Sequence, residues 1–281
     1  MRRGIFRRRH QAPHAAHGFP RGTAHTFRAD GFTLRYWVVG AGTPLLFLHG
    51  AGLPASTFRE LILFLARDNE VLVPEIPGFG RSDFPDRHWD FATYARLMRR
   101  LLDERGSRIR RMVGYSFGGG IALQLAPMLP DLESLVLLSP AEGGERYRHA
   151  GVLARVAWEA VGSLRVSMQK GTTLIYAGVA RDYVLNSFRW TLFQRRLLRV
   201  VVRCFRRSRG CCPTDVPAVV LTADADVFFP GAAASLRAVL PGAQFRTLAG
   251  MRLWPLLDPA RVQREIGRVF SESDQASRIS V

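Results

Sequence analysis

The stretch RMVGYSFGGG, residues 111–120, constrains the fold more than any other. An apolar run passes into a glycine-rich helix start through one residue, Ser116. A strand that turns so sharply into a helix sends that helix back along a sheet face, as in a parallel sheet covered by helices. The same alternation recurs along the chain. PLLFLHG (44–50), VLVPEIPG (71–78), LESLVLLSP (132–140) and VPAVVLTADAD (216–226) read as buried strands. STFRELILFLARDN opens with Ser56 as an expected cap, and FATYARLMRRLLDERG is an amphipathic helix stopped by Gly106. HTFRAD and FTLRYWVVG read as two strands joined by an Asp30-Gly31 turn. The expected fold class is α/β, a mostly parallel sheet with helices on both faces.

The alternation stops near residue 143 and resumes near residue 213. Four segments are therefore expected: a basic extension over 1–29, disordered or targeting; a first core part over 30–142; a helical insertion over 143–212; and a second core part over 213–281.

Charge narrows the partners. Lys plus Arg number 40 against 23 acids, a formal charge of +17, and every basic residue except Lys170 is arginine. Codon bias in a GC-rich genome and attraction to an anionic membrane both remain open, because charge speaks to partners rather than to fold. No nucleic-acid-binding signature accompanies it, so no nucleic acid is expected. No metal-ligand spacing or dinucleotide fingerprint is present, so no cofactor is expected. Cys204, Cys211 and Cys212 lack the spacing of a disulfide framework, and a reducing cytoplasm is the default.

Gly114-Tyr115-Ser116-Phe117-Gly118 fits the G-x-S-x-G pattern of a nucleophile held on a strained strand-to-helix turn. Gly114 and Gly118 supply the small neighbours such a turn needs. The Phe117 amide points toward any oxyanion formed there, and the Ala51 amide, after His49-Gly50, can be the second donor. His49 itself reads as a structural side chain pinning its loop.

These motifs occur in the order of the α/β-hydrolase family, which the chain resembles. The matching residues are His49-Gly50, the run Pro77-Gly78-Phe79-Gly80-Arg81-Ser82, the Ser116 turn and LTADADVFFP. The resemblance implies an eight-stranded, mostly parallel sheet with a helical cap. It implies a catalytic acid at Asp226, with Asp224 the weaker candidate, and a histidine after the last strand. There the sequence reads LAGMRLWPLLDP, and Met251 stands in the expected histidine position. None of the seven histidines lies beyond His149. A thioether is no general base, so the triad is incomplete unless His49 or His149 substitutes. A serine at the turn points to ester, amide, thioester or C–C hydrolysis. Epoxide hydrolases and dehalogenases of this fold use aspartate there.

The expected function is hydrolysis of a small, fairly apolar ester or acyl substrate. The alternative is a catalytically silent ligand-binding protein on the same fold. Within the insertion, WTLFQRRLLRVVVRCFRR (190–207) is expected to form one helix. Arg195, Arg199, Arg203 and Arg206 fall on one face, with Arg196 and Arg207 at its border. Trp190, Phe193, Leu197, Val201, Cys204 and Phe205 fall on the other. The arginine face is a candidate for peripheral contact with anionic membrane.

Overall fold

The computed structural model describes residue 19 and residues 22–86, 88–142, 149–191, 194–206 and 214–279. Eight strands form one sheet: β1 (Gly22–Ala29), β2 (Phe32–Val39), β3 (Thr43–Leu48), β4 (Asn69–Pro74), β5 (Arg111–Tyr115), β6 (Ser134–Leu138), β7 (Ala218–Ala223) and β8 (Gln244–Leu248). Their spatial order is β1-β2-β4-β3-β5-β6-β7-β8. The pairings β1/β2 and β2/β4 are antiparallel, and from β4 to β8 every pairing is parallel.

The nine helices among the described residues are α1 (Arg59–Leu65), α2 (Phe91–Arg105), α3 (Phe117–Leu125), α4 (His149–Lys170), α5 (Thr173–Thr191), α6 (Gln194–Arg206), α7 (Ala232–Arg237), α8 (Trp254–Leu257) and α9 (Pro259–Ile279). None of them is long and apolar enough to cross a membrane.

The apolar runs read as strands are buried on both sides because successive side chains enter different cores. Leu46, Leu48, Met112, Leu135 and Leu137 pack on one face with α2 and α3. Leu45, Phe47, Val113, Val136 and Leu138 pack on the other with α1 and α9. Helix α2 begins where Asp90 accepts from the Thr93 amide at 2.9 Å and ends at Gly106, whose φ is 65°.

Three expectations need correction. Residues 22–29 are not extension but strand, paired in register with β2 through the Asp30-Gly31 turn; the rest of the expected extension lies outside the described residues, apart from residue 19. Ser56 does not cap α1: a 3₁₀ turn, Ala55–Phe58, precedes it, and its flanking cap side chains make no hydrogen bond. The single helix expected over 190–207 is divided, because Trp190 belongs to the end of α5 and α6 begins at Gln194. Helices α4, α5 and α6 lie between β6 and β7 in the chain.

Candidate active site

Ser116 directly follows β5 and precedes α3 with φ 52° and ψ −114°. That conformation costs a non-glycine residue about 1–3 kcal/mol and persists only where the surroundings fix it. Here they do. The Ser116 amide donates to Leu138 O at 3.0 Å, and its carbonyl accepts from Gly119 at 3.0 Å and Ala141 at 2.8 Å. A Cβ at Gly114 would lie 2.8 Å from Gly119 Cα, and one at Gly118 would lie 2.1 Å from Leu48 O. Both glycines are therefore steric requirements of the turn. Phe117 is fully buried beneath the turn, its ring against Phe79, Phe91 and Tyr94. Its amide heads α3, where no intrahelical acceptor exists.

The loop after β3 comes close because Gly50 lacks a side chain: a Cβ there would lie 2.8 Å from the Tyr115 ring and 3.4 Å from Ser116 Cβ. Ala51 follows directly. His49 is fully buried, and its Nε2 lies 2.9 Å from the Ile76 amide. An amide only donates, so Nε2 accepts, and Nδ1 carries the proton toward Gly50 O at 2.9 Å. Burial lowers the His49 pKa to about 4, partly opposed by the Gly50 hydrogen bond. This neutral ring has no lone pair left for Ser116. His49 ties Gly50 to Ile76 through its two ring nitrogens. His149 begins α4, and its side chain lies outside the described residues.

Asp226 is buried after β7. Its Oδ1 accepts from the amides of Phe228 at 2.9 Å and Phe229 at 3.2 Å, which leaves Oδ2 for a side chain. Asp224 is spent elsewhere, accepting from Gly250 N at 2.8 Å across the loop after β8.

That loop departs from expectation. Met251 is buried against α4, where a Cβ on Gly162 would lie 2.5 Å from Met251 Cε. The residue between acid and serine is the next one, Arg252. Its Nη1 donates to Asp226 Oδ2, and its Nη2 donates to Ser116 Oγ at 3.1 Å and to Ser139 O. Gly250, at φ 137°, turns the chain so that residue 251 packs under α4 while residue 252 bridges Asp226 and Ser116. The guanidinium also lies 4.7 Å from the Phe229 ring centroid.

From α4, Glu159 Oε1 accepts from the Leu253 amide at 2.9 Å, while its Oε2 is buried with no hydrogen-bond partner among the described residues. Burial raises the Glu159 pKa, opposed by hydrogen bonds from Leu253, Arg252 and Ser163 and by the Arg252 charge. Sequence reasoning missed both Arg252 and Glu159. The available signal was that Met251 is apolar and Arg252 is not, so a buried carboxylate facing that turn selects Arg252. Among the described residues no group of three or more His, Cys, Asp or Glu side chains could hold a metal ion.

Comparison with known proteins places this arrangement. The family model described as "Alpha/beta hydrolase family" matches residues 45–265. The chain is 28% identical to a putative non-heme haloperoxidase of Mycobacterium phage D29, over 82% of this chain and 88% of that protein. It is 34% identical to an uncharacterised protein of Mycobacterium tuberculosis, but there the match spans only 40% of this chain and 33% of that protein. An esterase from Exiguobacterium antarcticum superposes with a TM-score of 0.65 at 17% identity, over 87% of this chain and 97% of that one. The epoxide hydrolase CorEH superposes with a TM-score of 0.67 at 19% identity, over 89% and 99%. The family match spans most of the sequence, on an eight-stranded sheet with a strained serine between strand and helix: the chain belongs to the alpha/beta hydrolase family.

Proposed function

We propose that this protein acts on a small, fairly apolar ester or related acyl substrate through Ser116, at a rate held low because Arg252 stands where a general base is needed. The observation that supports this reading is Ser116 itself, strained at φ 52° with its hydroxyl against the Arg252 guanidinium. Ser116 Oγ adds to the acyl carbon, and the oxyanion takes hydrogen bonds from the Phe117 and Ala51 amides. The leaving alkoxide takes a proton from water, and a second water releases the acyl group. Arginine has no acceptor lone pair and cannot receive the serine proton. Its charge can only stabilise the alkoxide, so the proton passes to solvent. The loss of general-base help costs roughly 10²–10⁴-fold in rate. Asp226 then holds the guanidinium rather than an imidazole.

The Arg252–Ser116 hydrogen bond equally favours a second reading, a family member that binds an acyl or carbonyl ligand without turning it over. A fluorophosphonate probe separates the two. Slow labelling of the parent, abolished in Ser116→Ala, is the expected result. No labelling of the folded parent would leave the binding reading.

A further inference from the structure

A helix on the surface of a folded protein turns its apolar side inward. Helix α2 obeys this, burying Phe91, Tyr94, Leu97, Met98, Leu101 and Leu102. Helix α4 is inverted. Its buried polar residues Glu159, Ser163 and Ser167 are spaced by four and form one stripe. Glu159 is tied to the Leu253 amide and to Ser163 Oγ, so that stripe faces the Arg252 loop. The side turned away carries Trp158 (64% exposed), Val161 (69%) and Met168 (67%).

Helix α5 continues the exposed surface with Leu174 (90% exposed), Val184 and Leu185. The two helices are joined through Gly171, and Tyr176 Oη donates to Ala160 O at 2.9 Å, so they form one hairpin. Exposed apolar side chains gathered on one hairpin point to an interaction site.

Charge identifies the partner. The hairpin's two carboxylates, Glu159 and Asp182, are withdrawn from the exposed rows: Glu159 is buried, and Asp182 accepts from Thr57 Oγ1 at 2.9 Å. Arg165 and Arg181 are exposed, and Arg181 pairs with Asp182 at 3.0 Å. Apolar side chains bordered by arginine suit the boundary of an anionic bilayer. A second copy of a chain carrying +17 meets repulsion instead.

We propose that the outer face of the α4–α5 hairpin docks on anionic lipid bilayers, with Trp158, Val161, Met168 and Leu174 entering the headgroup–acyl boundary. This contact differs from the one expected at α6. There Leu197, Val200 and Cys204 are buried in the core and are unavailable to lipid. Docking through α4 sets the membrane on the side of that helix opposite the Arg252 loop. It holds whether or not Ser116 turns a substrate over.

The test is flotation of the full chain with phosphatidylcholine vesicles, with and without phosphatidylglycerol, at low and high salt. A Val161→Gln/Met168→Gln/Leu174→Gln variant keeps the arginine-rich N-terminus, so any difference belongs to the hairpin. All three positions are exposed, and circular dichroism checks that the variant folds. The parent is expected to float with phosphatidylglycerol vesicles and to retain part of its binding at high salt. The variant is expected to partition about tenfold more weakly or worse. Brominated lipid is expected to quench tryptophan emission in the parent and less in Trp158→Phe. A folded variant that binds like the parent would overturn the proposal and return the attraction to the arginines. So would a parent that ignores anionic vesicles, or one that sediments as a dimer dissociated by the triple substitution.

Discussion

Two loops flank Ser116, and they treat it differently. On the β3 side, His49 is neutral, fully buried and bonded through both ring nitrogens to backbone groups of Gly50 and Ile76. That loop fixes where Ala51 lies and adds no charge. On the β8 side, Arg252 reaches acceptors on three segments: Asp226 after β7, Ser139 after β6 and Ser116 itself. The first loop preserves geometry, while the second sets a permanent proton donor against the Ser116 hydroxyl. Backbone framework and acid–base chemistry are therefore separable in this fold. The strained turn, its glycines and the buried carboxylate surround an arginine, which donates hydrogen bonds and accepts none.

The comparison breaks most visibly at Arg252. Removing the guanidinium in Arg252→Met leaves the buried Asp226 without its partner, and breaking a buried pair this way costs about 3–5 kcal/mol. Urea unfolding is expected to show a loss of that size. A loss below about 1 kcal/mol would mean that the pair is solvated and marginal.

The His49 side predicts a pH effect instead. The folded pKa of about 4 lies below the ordinary histidine value of 6.5, so the unfolded chain takes the proton first as pH falls. Stability from this group is fully present above pH 6.5 and is lost as pH falls toward 4, by up to about 3 kcal/mol. The slope of stability against pH across that window is expected to flatten in His49→Gln. An unchanged slope would remove His49 from the acid response.

The smallest effect belongs to Met251. Its side chain fills space against Gly162, so Met251→Leu is expected to cost less than about 1.5 kcal/mol and to leave fluorophosphonate labelling unchanged. A large change in labelling would move Met251 from packing into the chemistry.

Much of this was legible in the sequence. The apolar runs of β3 to β7 identify themselves because strands buried on both faces are apolar at consecutive positions, as Leu45 to Leu48 are. Gly114, Gly118 and Ser116 are legible because few residue types tolerate such a turn. Asp226 could be placed after β7 by its order in the chain. The Met251/Arg252 choice was not legible, since one residue of register depends on the φ of Gly250, 137°, a property of the folded loop. Nor was the inversion of α4, because helical spacing sorts faces without saying which one meets the core. Trp158 and Val161 are exposed because Glu159 and Ser163 take the inward side.

The most direct test is the second-order rate of fluorophosphonate labelling at Ser116 in the parent, Arg252→His and Met251→His. If Arg252 occupies the base's place between Asp226 and Ser116, an imidazole at 252 restores a proton acceptor held by the same carboxylate. Labelling of Arg252→His is then expected to rise about 10²–10⁴-fold, with Met251→His unchanged. A folded Arg252→His that labels no faster than the parent, or a gain confined to Met251→His, would contradict that assignment.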